Sequence, residues 1–157
     1  MHGMDYFFTI NKVTQTQIAD YLGISKTAPT SWKNGSKNFP SKYKWKLYDL
    51  FAIPEDKQYL LEKKLINSID RTEIELIFAQ RRLKEIKEED DPELDEVVKG
   101  GLIFKFEQDI RICQMSIKKL SVLENLKREI NSSLLYDDIF HKKLDMVENL
   151  IEEMKKI

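Results

Sequence analysis

Few side chains in this sequence are equipped to make or break covalent bonds. Cys113 has no second cysteine to pair with, and the only histidines are His2 and His141. No Gly-rich phosphate loop, His-containing metal motif or nucleophile elbow is present. The acidic stretch Glu88, Glu89, Asp90, Asp91, Glu93, Asp95 and Glu96 lacks the alternating ligand spacing and the glycine of a calcium loop, so it reads as a solvated turn. Cys113 reads as a small core residue and His141 as part of an exposed, charged helix face. The chemistry on offer is non-covalent. Residues 1–54 hold seven lysines (Lys12, Lys26, Lys33, Lys37, Lys42, Lys44, Lys46) against Asp5, Asp20 and Asp49, a net +4. The rest of the chain carries 19 basic and 24 acidic residues, a net −5. This split describes a head suited to a polyanion joined to a segment with another task. We expect no enzyme, no cofactor and no metal.

The elements that must present those lysines are helical. The 157 residues are 34% charged with only 5 Gly and 4 Pro, which favours long solvated helices, an all-α fold, over a sheet. No apolar run approaches the roughly 18 residues that cross a bilayer. "MHGMDYFF" lacks the basic flank of a secretion signal, so no membrane association and a cytoplasmic location are expected, with "MHG" left open as a remnant ahead of Met4.

In "VTQTQIADYLGIS", Thr14 and Gln17 have capping-box spacing, and Ile18, Ala19 and Leu22 give the helix one apolar face. Gly23 stops it in the left-handed conformation, Ile24 turns inward, and Ser25 is a second candidate cap. The pattern is two short helices joined by a Gly-containing turn, with Trp32 facing back. Pro29 leaves two starts open for the second helix. Beginning at Lys26 puts the proline at the edge of the first turn; beginning near Ala28 puts it at the first helical position.

Thr14, Gln15, Ile18, Ala19, Gly23, Ile24, Ser25, Trp32, Gly35 and Pro40 together resemble the XRE or lambda-repressor-like DNA-binding domain of phage and bacterial repressors, over roughly residues 6–54. The departure is Pro29, where that family usually has a branched apolar residue. The resemblance implies a compact four- or five-helix domain. "YFFTIN" is then its first helix, with Phe7, Phe8 and Ile10 inward, and "SKYKWKLYDLFAI" its fourth, with Trp45, Leu47, Leu50 and Phe51 alternating with Lys42, Lys44 and Lys46. It implies that Gln15 touches phosphate and that Lys26, Thr27 and Ser31 face base edges in the major groove, with Thr30 beside them. Lys33, Asn34, Lys37 and Asn38 would meet phosphates from the following loop, and Lys42 would add to them. The physical chemistry agrees: lysine donates to guanine O6 or N7, threonine reads thymine, and clustered lysines release counterions. No Arg precedes Arg71, so the bidentate guanine contact is missing and paired subunits are expected to compensate.

Beyond Pro54 we expect a second region, 55–157, serving oligomerisation or partner binding after the DNA-binding domain 1–54. A first long helix starts near Pro54. Its stripe is Leu65, Ile69, Thr72, Leu76, Ala79, Leu83 and Ile86, widened by Ile66, Ile74 and Ile77. Asp91-Pro92 reads as a new start, Gly100-Gly101 as a stop or kink, and Asn131-Ser132-Ser133 as a turn. Between them Phe106, Ile110, Cys113, Ile117 and Leu120 form a stripe that Leu123, Leu126 and Ile130 continue with a slip. Phe140, Leu144, Val147, Ile151 and Met154 mark a third helix. The expectation is a helical hairpin, bundle or coiled coil, self-associating with a dimer favoured. The function expected is a sequence-specific transcriptional regulator of phage or mobile-element repressor type, with double-stranded DNA as partner. Two alternatives are a phage packaging protein of small-terminase type and a protein-interaction adaptor.

Overall fold

The computed structural model describes residues 1–33, 37, 39–88, 95–133, 146, 147 and 149. Every regular element among them is helical: α1 (Gly3–Ile10), α2 (Gln15–Leu22), α3 (Ala28–Lys33), α4 (Ser41–Leu50), a 3-10 turn (Glu55–Lys57), α5 (Tyr59–Glu62), α6 (Ser68–Glu88) and α7 (Glu96–Ser133). Of the expected third helix only residues 146, 147 and 149 are described, all of them helical, and the Asp91-Pro92 start lies outside the described residues. The chain divides into two compact units, Met1–Cys113 and Gln114–Ile157.

Three of the short helices end by one device. After α1, α2 and α4 a residue turns left-handed (Lys12 at φ 53°, Gly23 at 66°, Ala52 at 50°). The next amide, of Val13, Ile24 or Ile53, bonds back to a carbonyl of the last turn, Phe8, Ala19 or Tyr48, at 3.0, 3.0 and 2.8 Å. Those carbonyls would otherwise be orphaned, and the apolar residue that follows is carried against the core. Only Gly23 announces this in the sequence. Lys12 and Ala52 adopt a conformation that costs an L-residue about 1–2 kcal/mol, which the surrounding packing must offset.

The core of the first unit gathers around α1. Met4, Phe7 and Phe8 are buried, and the Phe7 and Phe8 rings lie 5.7 and 6.0 Å from Phe51, just past α4. Ile18 and Leu22 of α2, Trp32 of α3 and Leu47 of α4 join them. So do Leu60, Leu61, Ile66, Ile74 and Ile77, which all follow Pro54. The expected boundary after residue 54 is therefore not a boundary of packing, because the head's own core draws on α5 and α6.

The "MHG" opening also belongs to the fold. The His2 ring accepts from the Met4 amide at 3.2 Å and caps α1. Gly3 N–H donates to the Lys63 carbonyl at 2.8 Å, and Ile66 N–H to the Met1 carbonyl at 3.2 Å. A Cβ on Gly3 would stand 1.7 Å from the Leu60 carbonyl oxygen, so only glycine permits this backbone approach.

The helix expected to run on from Pro54 is interrupted instead. Lys63 is extended, Ile66 turns inward, and α6 starts at Ser68. Asn67 and Asp70 form the new cap: each side chain accepts the other's amide, at 2.7 and 2.8 Å. Lys63 Nζ lies 2.7 Å from the same Asp70 carboxylate, which is nearly buried, so its charge is matched where water cannot reach it. Leu65, the first residue of the expected stripe, is consequently exposed. On α6 Ile74 and Ile77 enter the core, while Ala79 and Ile86 are buried on another face. That helix packs on more than one side. Arg81 donates to the Leu50 carbonyl at 2.9 Å, securing α6 to the end of α4.

Gly100 and Gly101 neither stop nor visibly break α7, which runs through them and on through Asn131-Ser132-Ser133. Each glycine costs about 1 kcal/mol in a helix interior, too little to interrupt a helix of 38 residues. Cys113 is buried and Phe106 meets Phe78 edge-on at 6.4 Å, in keeping with the expected stripe. In the second unit Leu126 is buried and Leu123 half exposed.

Replacing Gly3 by Ala is expected to cost about 3 kcal/mol or more, because neither backbone can yield. Gly101→Ala, with nothing within 4 Å of its added Cβ, should instead stabilise by about 0.5–1 kcal/mol. Urea unfolding of both variants checks this. Burial, with a hydrogen bond to Glu75 and that carboxylate's charge, pushes the Tyr6 phenol up to about 12. Burial and Glu62 do the same for Tyr48, also to about 12. The folded chain holds these protons more tightly than the unfolded one. Their contribution is complete below pH 10 and is lost as pH rises towards 12. Unfolding midpoints measured between pH 9 and 12 should fall, less steeply in Tyr6→Phe and Tyr48→Phe.

Candidate nucleic-acid interface

The paired short helices α2 and α3 are set by local chemistry on both sides of Gly23. Thr14 and Gln17 form the full reciprocal cap of α2, with the Gln17 amide 3.2 Å from the Thr14 hydroxyl and the Thr14 amide 2.8 Å from the Gln17 side chain. Ile18, Ala19 and Leu22 are buried, which leaves the polar side of the helix outward. Ser25 organises the turn rather than the start of α3. Its carbonyl accepts from Ala28 at 2.9 Å, and its hydroxyl lies 2.9 Å from that of Thr27.

The first helical bond of α3 runs from the Ser31 amide to the Thr27 carbonyl at 3.2 Å. Of the two starts left open by the sequence, the later one is adopted. Pro29 is then the second helical residue, where an N–H would have had no partner within the helix, and its ring is fully buried. The proline thus removes nothing from the ladder and adds apolar burial. Lys26 and Thr27 belong to the turn ahead of α3, both exposed.

The structure brings Gln15 and Thr30 together. Thr30 Oγ1 donates to Gln15 Oε1 at 2.5 Å, linking the outer sides of α2 and α3. With that oxygen occupied, Gln15 is left with its amide NH2, a donor of the kind a phosphate oxygen accepts. Ser31 is half-buried, and its hydroxyl donates back to the Thr27 carbonyl at 3.2 Å, so its proton is turned onto its own helix. Lys33 closes α3; its side chain, Asn34 and Asn38 lie outside the described residues. Lys37 is exposed and its amide bonds the Ser31 carbonyl at 3.2 Å.

Helix α4 corrects the expected alternation of inward aromatics and outward lysines. A helix repeats every 3.6 residues, so Tyr43, Leu47 and Phe51 share its inner side and Trp45 points elsewhere. Leu47 and Phe51 are buried, Tyr43 lies 5.8 Å from the Trp32 ring, and Trp45 is 61% exposed. Trp32 also meets Phe39 edge-on at 4.8 Å. Lys42 sits 4.7 Å from the Tyr43 ring centre and Lys46 5.7 Å from that of Trp45. Lys44 is committed to Glu62 at 2.7 Å, so it offers less free charge than the sequence indicated.

Sequence reading also missed a cleft of about 400 Å³ beside the Trp32–Phe39 pair. His2, Lys37, Lys44 and Lys64 contribute to its walls. Two of these lie far from the head's lysine run, and the only signal was the Lys63-Lys64 pair. Exposed Trp45 carried no signal beyond its position relative to Leu47.

Comparison with family models, with curated proteins and with solved structures found no match for this chain. The two tryptophans should separate cleanly in experiment. Trp32→Ala is expected to cost about 3–5 kcal/mol, whereas Trp45→Ala should change stability by less than about 0.5 kcal/mol. Denaturant titration of the two variants checks both.

Proposed function

We propose that this protein is a sequence-specific DNA-binding regulator of transcription whose α2–α3 pair acts as a helix-turn-helix of lambda-repressor-like type. The observation that carries the reading is the outward polar surface where α2 and α3 meet. Exposed Lys26 and Thr27 precede α3, and Gln15 is fixed beside it by Thr30. Thr14 caps the Gln17 amide, which leaves the Gln15 and Thr16 amides of the first turn of α2 as donors that suit a phosphate. Lys37, Lys42 and Lys46 add salt-sensitive affinity around that centre. In this reading the N-terminal end of α3 enters the major groove and Lys26 and Thr27 touch base edges.

One such surface without arginine reads few bases, so binding as a pair of subunits belongs to the proposal. Val97, Val98 and Phe104 of α7 are exposed apolar side chains of the kind a second subunit would cover. Selection of bound sequences from a random double-stranded DNA pool tests the function. A recovered two-fold motif is the expected result; no retention of DNA even at low salt would overturn the reading. Lys26→Ala and Thr27→Ala should each lower affinity for that motif about tenfold, with unfolding midpoints unchanged. Lys42→Ala and Lys46→Ala should weaken all sequences alike and reduce the salt slope by about one each.

A further inference from the structure

A second site is formed away from the α2–α3 surface. α1, α6 and α7 line a partly open cavity of about 490 Å³, within the range of small-molecule sites. On each helix the lining includes a large apolar side chain and, one turn earlier, a polar one: Ile10 and Tyr6, Phe78 and Glu75, Ile112 and Asp109. All of these lie in the first compact unit.

The polar groups are of one electrostatic kind. Glu75 accepts from the Tyr6 hydroxyl, which fixes that carboxylate at the wall. Asp109, on the facing helix, is half-buried and has no hydrogen-bond or ion-pair partner among the described residues. Among the described residues no lysine, arginine or histidine lines the space. Arg71 and Arg81 approach the Tyr6 and Phe78 rings at 6.0 and 5.9 Å, but neither is part of the lining. Two carboxylates in a largely apolar, aromatic-walled volume attract positive charge and repel negative charge. Aromatic faces strengthen that preference when the cation has shed water.

We propose that this cavity binds an organic cation with an apolar body, a quaternary ammonium or a protonated lipophilic amine. The apolar part fills the space beside Ile10, Phe78 and Ile112, and the charge lies between Asp109 and Glu75. An anion of the same shape meets two like charges and is rejected. The site does not depend on the DNA-binding reading and stands or falls separately from it.

Tetraphenylphosphonium and tetraphenylborate share size and shape and differ in the sign of charge, so they form the test. Calorimetric titration of the full chain should give one phosphonium per chain, bound at least tenfold more tightly than the borate. Asp109→Asn should weaken the phosphonium about tenfold without moving the unfolding midpoint of the free protein, and Glu75→Gln should weaken it to a similar degree. A measurement needing no variant uses Cys113, which also lines the cavity. The phosphonium should slow its alkylation at least fivefold and the borate should not. Equal binding of both ions, or no heat and no protection with the phosphonium, would overturn the proposal.

Discussion

The fold of the first unit depends on two stretches of backbone that meet without a side chain between them. At Gly3 the chain passes so close to Leu60 that one added carbon would collide with a carbonyl oxygen. Hydrogen bonds from Gly3 to Lys63 and from Ile66 to Met1 close the contact on either side. This fixes the start of α1 against α5 and the segment that leads into α6. Phe7 and Phe8, about one turn on, are thereby held under Phe51, and α4 is held in turn. The surface carrying Gln15, Lys26 and Thr27 rests on that layer, so the geometry of a polar face is set by an apolar contact remote from it.

Helix α1 serves two environments because its length lets it. Met4, Phe7 and Phe8 point into the core, while Tyr6 and Ile10 face the cavity shared with α6 and α7. α6 repeats the division, with Ile74 and Ile77 on the core side and Glu75 and Phe78 on the cavity side. Tyr6 and Ile10 also pack against the edge of the core, so the two environments adjoin along one helix.

Much of this was legible in the sequence where a local rule suffices. The Thr14–Gln17 cap, the left-handed Gly23 and the buried Ile18, Ala19 and Leu22 follow from spacing alone. What the sequence hid needed partners distant in the chain or geometry that no residue type announces. Lys12 and Ala52 turn left-handed without being glycine. Asn67 and Asp70 cap a helix that periodicity had read as continuous, since the apolar pattern runs on across the break. Trp45 was misread because alternation was given a period of two on an element whose period is 3.6. In the interface, the exposure of Lys26 and Thr27 was accessible, whereas the Thr30–Gln15 bond and the diversion of Lys44 to Glu62 required tertiary packing.

That the core ignores Pro54 bears on how such a chain can be inherited. A segment ending there would carry the whole α2–α3 surface yet leave behind Leu60, Leu61, Ile66, Ile74 and Ile77, side chains its own interior needs. Recombination that moved only that segment would deliver an open apolar interior rather than a folded module. A piece that keeps this core intact extends at least through Ile77, so the outer face can vary by point changes more readily than it can be moved as a block.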